Sequence, residues 1–124
     1  MPHIQPLNDA LSLDTYADQK TVSFTIIERR TSGQAAKAEV QIPLSIAYRL
    51  FFLGRAFDCQ AIKFIEPRGS TQIDFIRLQV LISELELIAR AVSDPVSQHY
   101  LKLLLPLLKG SCGDTACCLN VVAS

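Results

Sequence analysis

Residues 70 to 93, STQIDFIRLQVLISELELIARAVS, constrain this chain more than any other stretch. Set about 100° apart, as an α-helix requires, Phe75, Leu78, Leu81, Ile82, Leu85, Ile88, Ala89 and Val92 gather on one broad apolar face. Ile73, Ile76, Val80, Leu87 and Ala91 form a smaller apolar arc roughly opposite. Two narrow polar strips separate them, one with Gln72, Gln79, Ser83, Glu86 and Arg90, the other with Arg77 and Glu84. A helix apolar on two sides needs two things to pack against, so it is expected in the middle of the fold or at a subunit interface. Ser70 or Thr71 is the expected N-cap, with Asp74 completing a capping-box-like pattern, and Asp94-Pro95 stops the helix.

A chain of 124 residues forms one domain and buries roughly two thirds of the surface it exposes when unfolded, with no need of a disulfide or metal. Twelve basic residues balance twelve acidic ones, which argues against a nucleic-acid binder or a membrane-surface protein acting through bulk charge. Neutrality also leaves little repulsion to oppose self-association. The hydrophobic fraction of 49% and mean hydropathy of +0.26 are high for this size, so part of the surface is expected to be covered by a partner. The start, MPHIQPLNDALSL, lacks the basic and continuously apolar segments of a signal peptide. No run approaches the roughly 18 to 20 apolar residues of a membrane span, so a cytoplasmic location is expected.

Residues 1 to 20 read as a polar arm with Pro2, Pro6, Asp9, Asp14 and Asp18, and residues 21 to 124 as the domain. Thr21 to Arg30 alternates Val22, Phe24 and Ile26 with Thr21, Ser23 and Thr25, the pattern of a half-buried strand. Ala38 to Ile42 alternates likewise and predicts a hairpin whose loop is longer than two residues. Pro43 then opens a helix over Leu44 to Phe57, weakened near its end by Gly54. Gln60 to Glu66, with Ile62 and Phe64 in alternation, predicts a third strand. Pro95 to Lys109 predicts a second long helix, antiparallel to the first, with a kink or early end at Pro106. Ala116 to Ala123 is short, apolar and β-prone, and predicts a buried closing strand. The fold class expected is α+β in the order β-β-α-β-α-α-β, a four-stranded sheet with helices packed on one face.

Chemistry is sparse. Cys112, Cys117 and Cys118 crowd one end and Cys59 stands alone, which is neither a disulfide framework nor a zinc module. Adjacent Cys117 and Cys118 in a strand would point to opposite faces. Core cysteines are the expectation, with Cys112, between Gly110 and Gly113, the candidate reactive thiol. Arg68, Gly69, Ser70 and Thr71, read as a loop entering a helix N-terminus, could hold an anion. A turn and cap with a solvated arginine is the plainer interpretation. Arg29, Arg30 and Lys37 could make a basic tip, though no aromatic residues are interleaved to stack bases. His3 and His99 lie in no catalytic motif, Glu84 and Glu86 project to different sides, and Glu86 with Arg90 reads as an i,i+4 ion pair.

No catalytic residue and no cofactor can be assigned. Leu101, Leu104, Leu105 and Leu108 cover more of their helix than one packing face requires, which predicts a homodimer or partner interface there. The function expected is protein–protein interaction without catalysis, as an adaptor, an immunity-type inhibitor or a regulatory subunit. An anion or small-molecule site at Arg68 to Thr71, and a thiol or metal protein using the C-terminal cysteines, are the alternatives.

Overall fold

Alternation dominates the first strand, as its sequence requires. In a computed structural model describing residues 20–30, 33–66, 68–110 and 117–123, Val22, Phe24 and Ile26 of β1 (Thr21–Arg30) are fully buried. Thr21, Ser23, Thr25 and Ile27 are half-buried on the opposite face. β1 pairs antiparallel with β2 (Gly33–Pro43), from Thr21 opposite Pro43 to Arg30 opposite Gly33. Only Thr31 and Ser32 therefore separate the paired ends, and the long hairpin loop expected from sequence is corrected to a short one. Gly33 has a φ of 120°, open to glycine because it lacks a Cβ. Ile26 faces Ala38 and Ile27 faces Ala36, so Lys37 is the extra residue of a β-bulge.

The remaining elements are α1 (Leu44–Ala56), α2 (Gln60–Phe64), β3 (Ser70–Ile73), α3 (Phe75–Ala91), α4 (Pro95–Lys109) and β4 (Cys117–Ala123). β4 pairs antiparallel with both β1 and β3, giving a four-stranded sheet in the order β2-β1-β4-β3. One face of that sheet joins one core. Val22, Phe24, Ile26, Ile42, Ile73, Leu119 and Val121 from the strands meet Ile46 and Leu50 of α1, Ile62 of α2, Leu78, Leu81, Leu85 and Ile88 of α3, and Val96, Leu101, Leu104 and Leu108 of α4. The α+β class and the four-stranded sheet follow the sequence reading, but the order is β-β-α-α-β-α-α-β.

The difference lies in residues 60 to 74. Gln60–Phe64 is a helix and not the expected third strand, which is Ser70–Ile73 instead. Nothing in the segment itself caps α2: its N-cap, Cys59, makes no side-chain cap hydrogen bond. The cap comes from α3, where the Glu84 carboxylate accepts from the Ala61 amide at 3.2 Å and the Ile62 amide at 3.0 Å. Ser70 to Ile73 alternate exposed and buried, Thr71 and Ile73 facing the core. The long helix accordingly starts at Phe75, with Asp74 as N-cap accepting from the Arg77 amide at 2.8 Å. Ser70 and Thr71 are not its cap.

α1 ends in a Schellman motif, in which the Cys59 amide donates to the Gly54 carbonyl and the Asp58 amide to the Arg55 carbonyl. Asp58 occupies the left-handed position usually held by glycine, with φ 58°. Gly54 is fixed by packing: a Cβ there would stand 2.3 Å from Ile62 Cγ2 and 2.8 Å from Ile62 Cβ. α3 and α4 are tied together by Gln98, whose amide donates to the carbonyls of Ala89 (2.6 Å) and Val92 (2.7 Å) at the end of α3. Asp94 caps α4 as its sequence predicts, accepting from the Ser97 amide at 2.9 Å. α4 does not end at Pro106, which deprives the Lys102 carbonyl of a donor; Leu104 and Leu108 on either side are fully buried and the helix runs to Lys109.

Candidate interaction surface

α3 is where sequence and packing part company. Its broad face is satisfied: Leu78, Leu81, Ile82, Leu85 and Ile88 are buried. Among the described residues no second layer covers the opposite arc. Ile76 is 75% exposed, and Val80 and Leu87 are also exposed. Ile73 leaves that arc for β3, where it is buried. The sequence asked for two packing partners, and the described residues supply one.

Beside the N-terminal half of this arc, α2 and α3 enclose an open cleft of about 530 Å³. Phe64, Ile76 and Val80 give it apolar walls, and Gln60, Lys63, Asp74 and Arg77 line the remainder. Phe64 is half exposed, and the Arg77 guanidinium lies over its ring at 3.8 Å from the centroid, a cation–π contact. Lys63 pairs with Asp58, and that hydrogen-bonded cation holds the Asp58 carboxyl below the usual aspartate range. Glu84, flanking the arc further along, is held by its two amide bonds to α2. The surface is thus an apolar stripe with charges of both signs fixed at its margin.

A second, smaller cleft of about 360 Å³ is lined by Tyr48, Phe51, Phe52, Arg55 and Arg68. Phe52 is 72% exposed, and neither guanidinium has an ion-pair partner among the described residues.

The other residues singled out from sequence are placed differently. Leu101, Leu104 and Leu108, expected at an interface, are fully buried and Leu105 is half-buried against the core. α4 packs against α3 and also against β1 and β2, which uses the width of its apolar face. Arg68, Gly69, Ser70 and Thr71 do not form a helix N-terminus. Ser70 and Thr71 sit in β3, Thr71 Oγ1 accepts from the Glu66 amide at 2.8 Å, and the Gly69 carbonyl accepts from the Ala123 amide. The helix N-terminus expected there begins instead at Phe75, after Asp74.

Cys112 and His3 lie outside the described residues, as do the side chains of Arg29 and Arg30; Lys37 is exposed. Cys117 faces Glu28 and Cys118 faces Ile27 across the ladder, so the two point to opposite sides of the sheet, and both are buried. Cys118 Sγ accepts from Gln72 Nε2 at 3.2 Å. Burial, and then the carboxylates of Glu84 and Asp58, push the Cys59 thiol up and disfavour its thiolate. Among the described residues no three His, Cys, Asp or Glu side chains converge as metal ligands would, and no helix is long and apolar enough to cross a membrane. Glu86 pairs with Lys109 at 2.9 Å, not with Arg90. His99 packs edge-on against Tyr100. The sequence reading missed Phe64 and the Arg55–Phe52 cleft; both depend on where α2 turns the chain, which the misread strand concealed.

No family model, no curated protein and no solved structure matches this chain.

Proposed function

We propose that this protein works by binding another polypeptide through the outer face of α3, as an adaptor, an inhibitor or a regulatory subunit does, with no catalysis of its own. The observation that carries this is the run of Ile76, Val80 and Leu87, exposed along one arc and joined to Phe64 at the cleft. Contiguous apolar surface with a polar margin is what a soluble chain keeps for a partner. Single exposed apolar residues are ordinary, but three on one helical arc beside an apolar cleft are not scattered. Native mass spectrometry of the tagged chain, recovered gently from cells that make it, tests this. The expected result is a stoichiometric second polypeptide, lost on Val80→Glu. A bare monomer would refute it.

The Arg55–Arg68 cleft supports a second reading, an anion site displaced from the loop where the sequence suggested it. Two guanidiniums beside Tyr48 and Phe52, with no carboxylate in the lining, suit an anion attached to a flat apolar group. Titration calorimetry with nucleoside phosphates should then give heat that Arg55→Ala and Arg68→Ala each remove; no heat from the wild-type chain would dismiss it.

A further inference from the structure

We infer that the polypeptide bound by the outer face of α3 is a second copy of this chain, its α3 packed antiparallel to the first about a two-fold axis. This rests on the binding function proposed above and names the partner. Ile76, Val80, Ser83 and Leu87 follow one another at intervals of four, three and four residues, the spacing of a coiled-coil seam. All four side chains are exposed. Turned antiparallel, the seam complements itself: Ile76 comes level with Leu87 of the second copy, and Val80 with its Ser83. Large thus meets large at the ends and a small residue sits near the axis, where two helices approach to roughly 8–10 Å. Burying Ser83 leaves no orphan donor, since its hydroxyl already donates to the Gln79 carbonyl within the helix at 3.4 Å.

Charge agrees with this pairing. Arg77 and Glu84 are seven residues apart on the same side of the seam, and the two-fold brings Arg77 of each copy beside Glu84 of the other. A parallel pair would put this flanking position of the two copies on opposite sides of the seam and leave Arg77 and Glu84 unpaired. Leu87 of the second copy also falls at the mouth of the cleft walled by Phe64, Ile76 and Val80. The chain's formal net charge of zero opposes none of this.

Sedimentation equilibrium of the purified full chain tests the inference. The expected result is a species of twice 13.7 kDa, converted to monomer by Val80→Glu and by Ser83→Arg with unchanged circular dichroism. Because both positions are exposed, at least one variant retains the fold. Mixing Val80→Cys with Ser83→Cys chains under mild oxidation should cross-link the two different variants, whereas a parallel pair would join like with like and overturn the arrangement. A wild-type chain that stays monomeric through the submillimolar range overturns the second copy as partner. The binding function would then still be decided separately, by whether a different polypeptide accompanies the chain from cells and leaves on Val80→Glu.

Discussion

Glycine near the end of a helix is ordinarily a weakness, and replacing it with alanine stabilises a helix by up to about 1 kcal/mol. Gly54→Ala should do the reverse. The added Cβ would stand 2.3 Å from Ile62 Cγ2, 2.8 Å from Ile62 Cβ and 2.9 Å from Ile62 Cδ1, against the roughly 3.5–4.0 Å at which carbon atoms attract. Turning the Ile62 side chain relieves the first and third contacts but not the second, because Cβ is fixed by the backbone. α2 must therefore retreat as a unit by about the shortfall, and it is held by the two bonds from Glu84. Overpacking of this kind costs about 1–3 kcal/mol, so after a helix gain of about 1 kcal/mol the net loss should be up to about 2 kcal/mol. Urea unfolding followed by circular dichroism reads it directly, as a lower midpoint at unchanged slope. In an Ile62→Ala background the penalty should shrink without vanishing, since only the Cβ contact remains. A Gly54→Ala chain more stable than wild type would refute the close approach of α1 and α2, and with it the geometry of the cleft.

Three further outcomes follow from the same contacts. Glu84→Ala orphans two partly buried amides and should cost about 1–3 kcal/mol by urea melt, with Glu84→Gln, which keeps one acceptor, costing less. Burial pushes the Asp94 carboxyl up, but the Ser97 amide and the Arg49 guanidinium at 2.8 Å more than offset it and hold Asp94 below its ordinary range. A depressed folded value means stability present above the unfolded aspartate range, about 3.9, and lost as pH falls through the folded one. Asp94→Asn keeps the cap and should flatten that part of the acid limb in thermal melts between pH 2 and 6, whereas Asp94→Ala should lower stability at neutral pH by about 1 kcal/mol. Asp58→Gly should raise the melting temperature, because glycine accepts the left-handed φ without strain and the exposed pair with Lys63 that it loses contributes little.

What could be read from sequence was what local pattern alone decides. β1 and β4 followed from alternation and composition, and α1 and α4 from apolar periodicity bounded by Pro43, Asp94 and Pro95. The segment from Gln60 to Asp74 was misread because its structure is set from elsewhere. The two free amides at the start of α2 are capped by a carboxylate on α3, and α2 seats against a glycine of α1. β3 is a strand because β4 pairs with it; in the linear pattern Ile73 fits a helical arc as well as a strand face.

The surplus apolar surface was misplaced for a related reason. α4 shows more apolar surface than one neighbour needs, but it has both α3 and the sheet to cover. α3, equally apolar on two sides, has its second side left open by the described residues. The two-sided pattern of α3 was legible; which helix would be left with surplus depended on how the layers stack.

The most direct test of the outer face of α3 as the working surface is native mass spectrometry of wild-type and Val80→Glu chains recovered side by side from cells. The wild-type chain should carry a second polypeptide at fixed stoichiometry, and Val80→Glu should be bare while melting at the same temperature. A Val80→Glu chain that keeps its partner, or a wild-type chain that has none, would contradict the account.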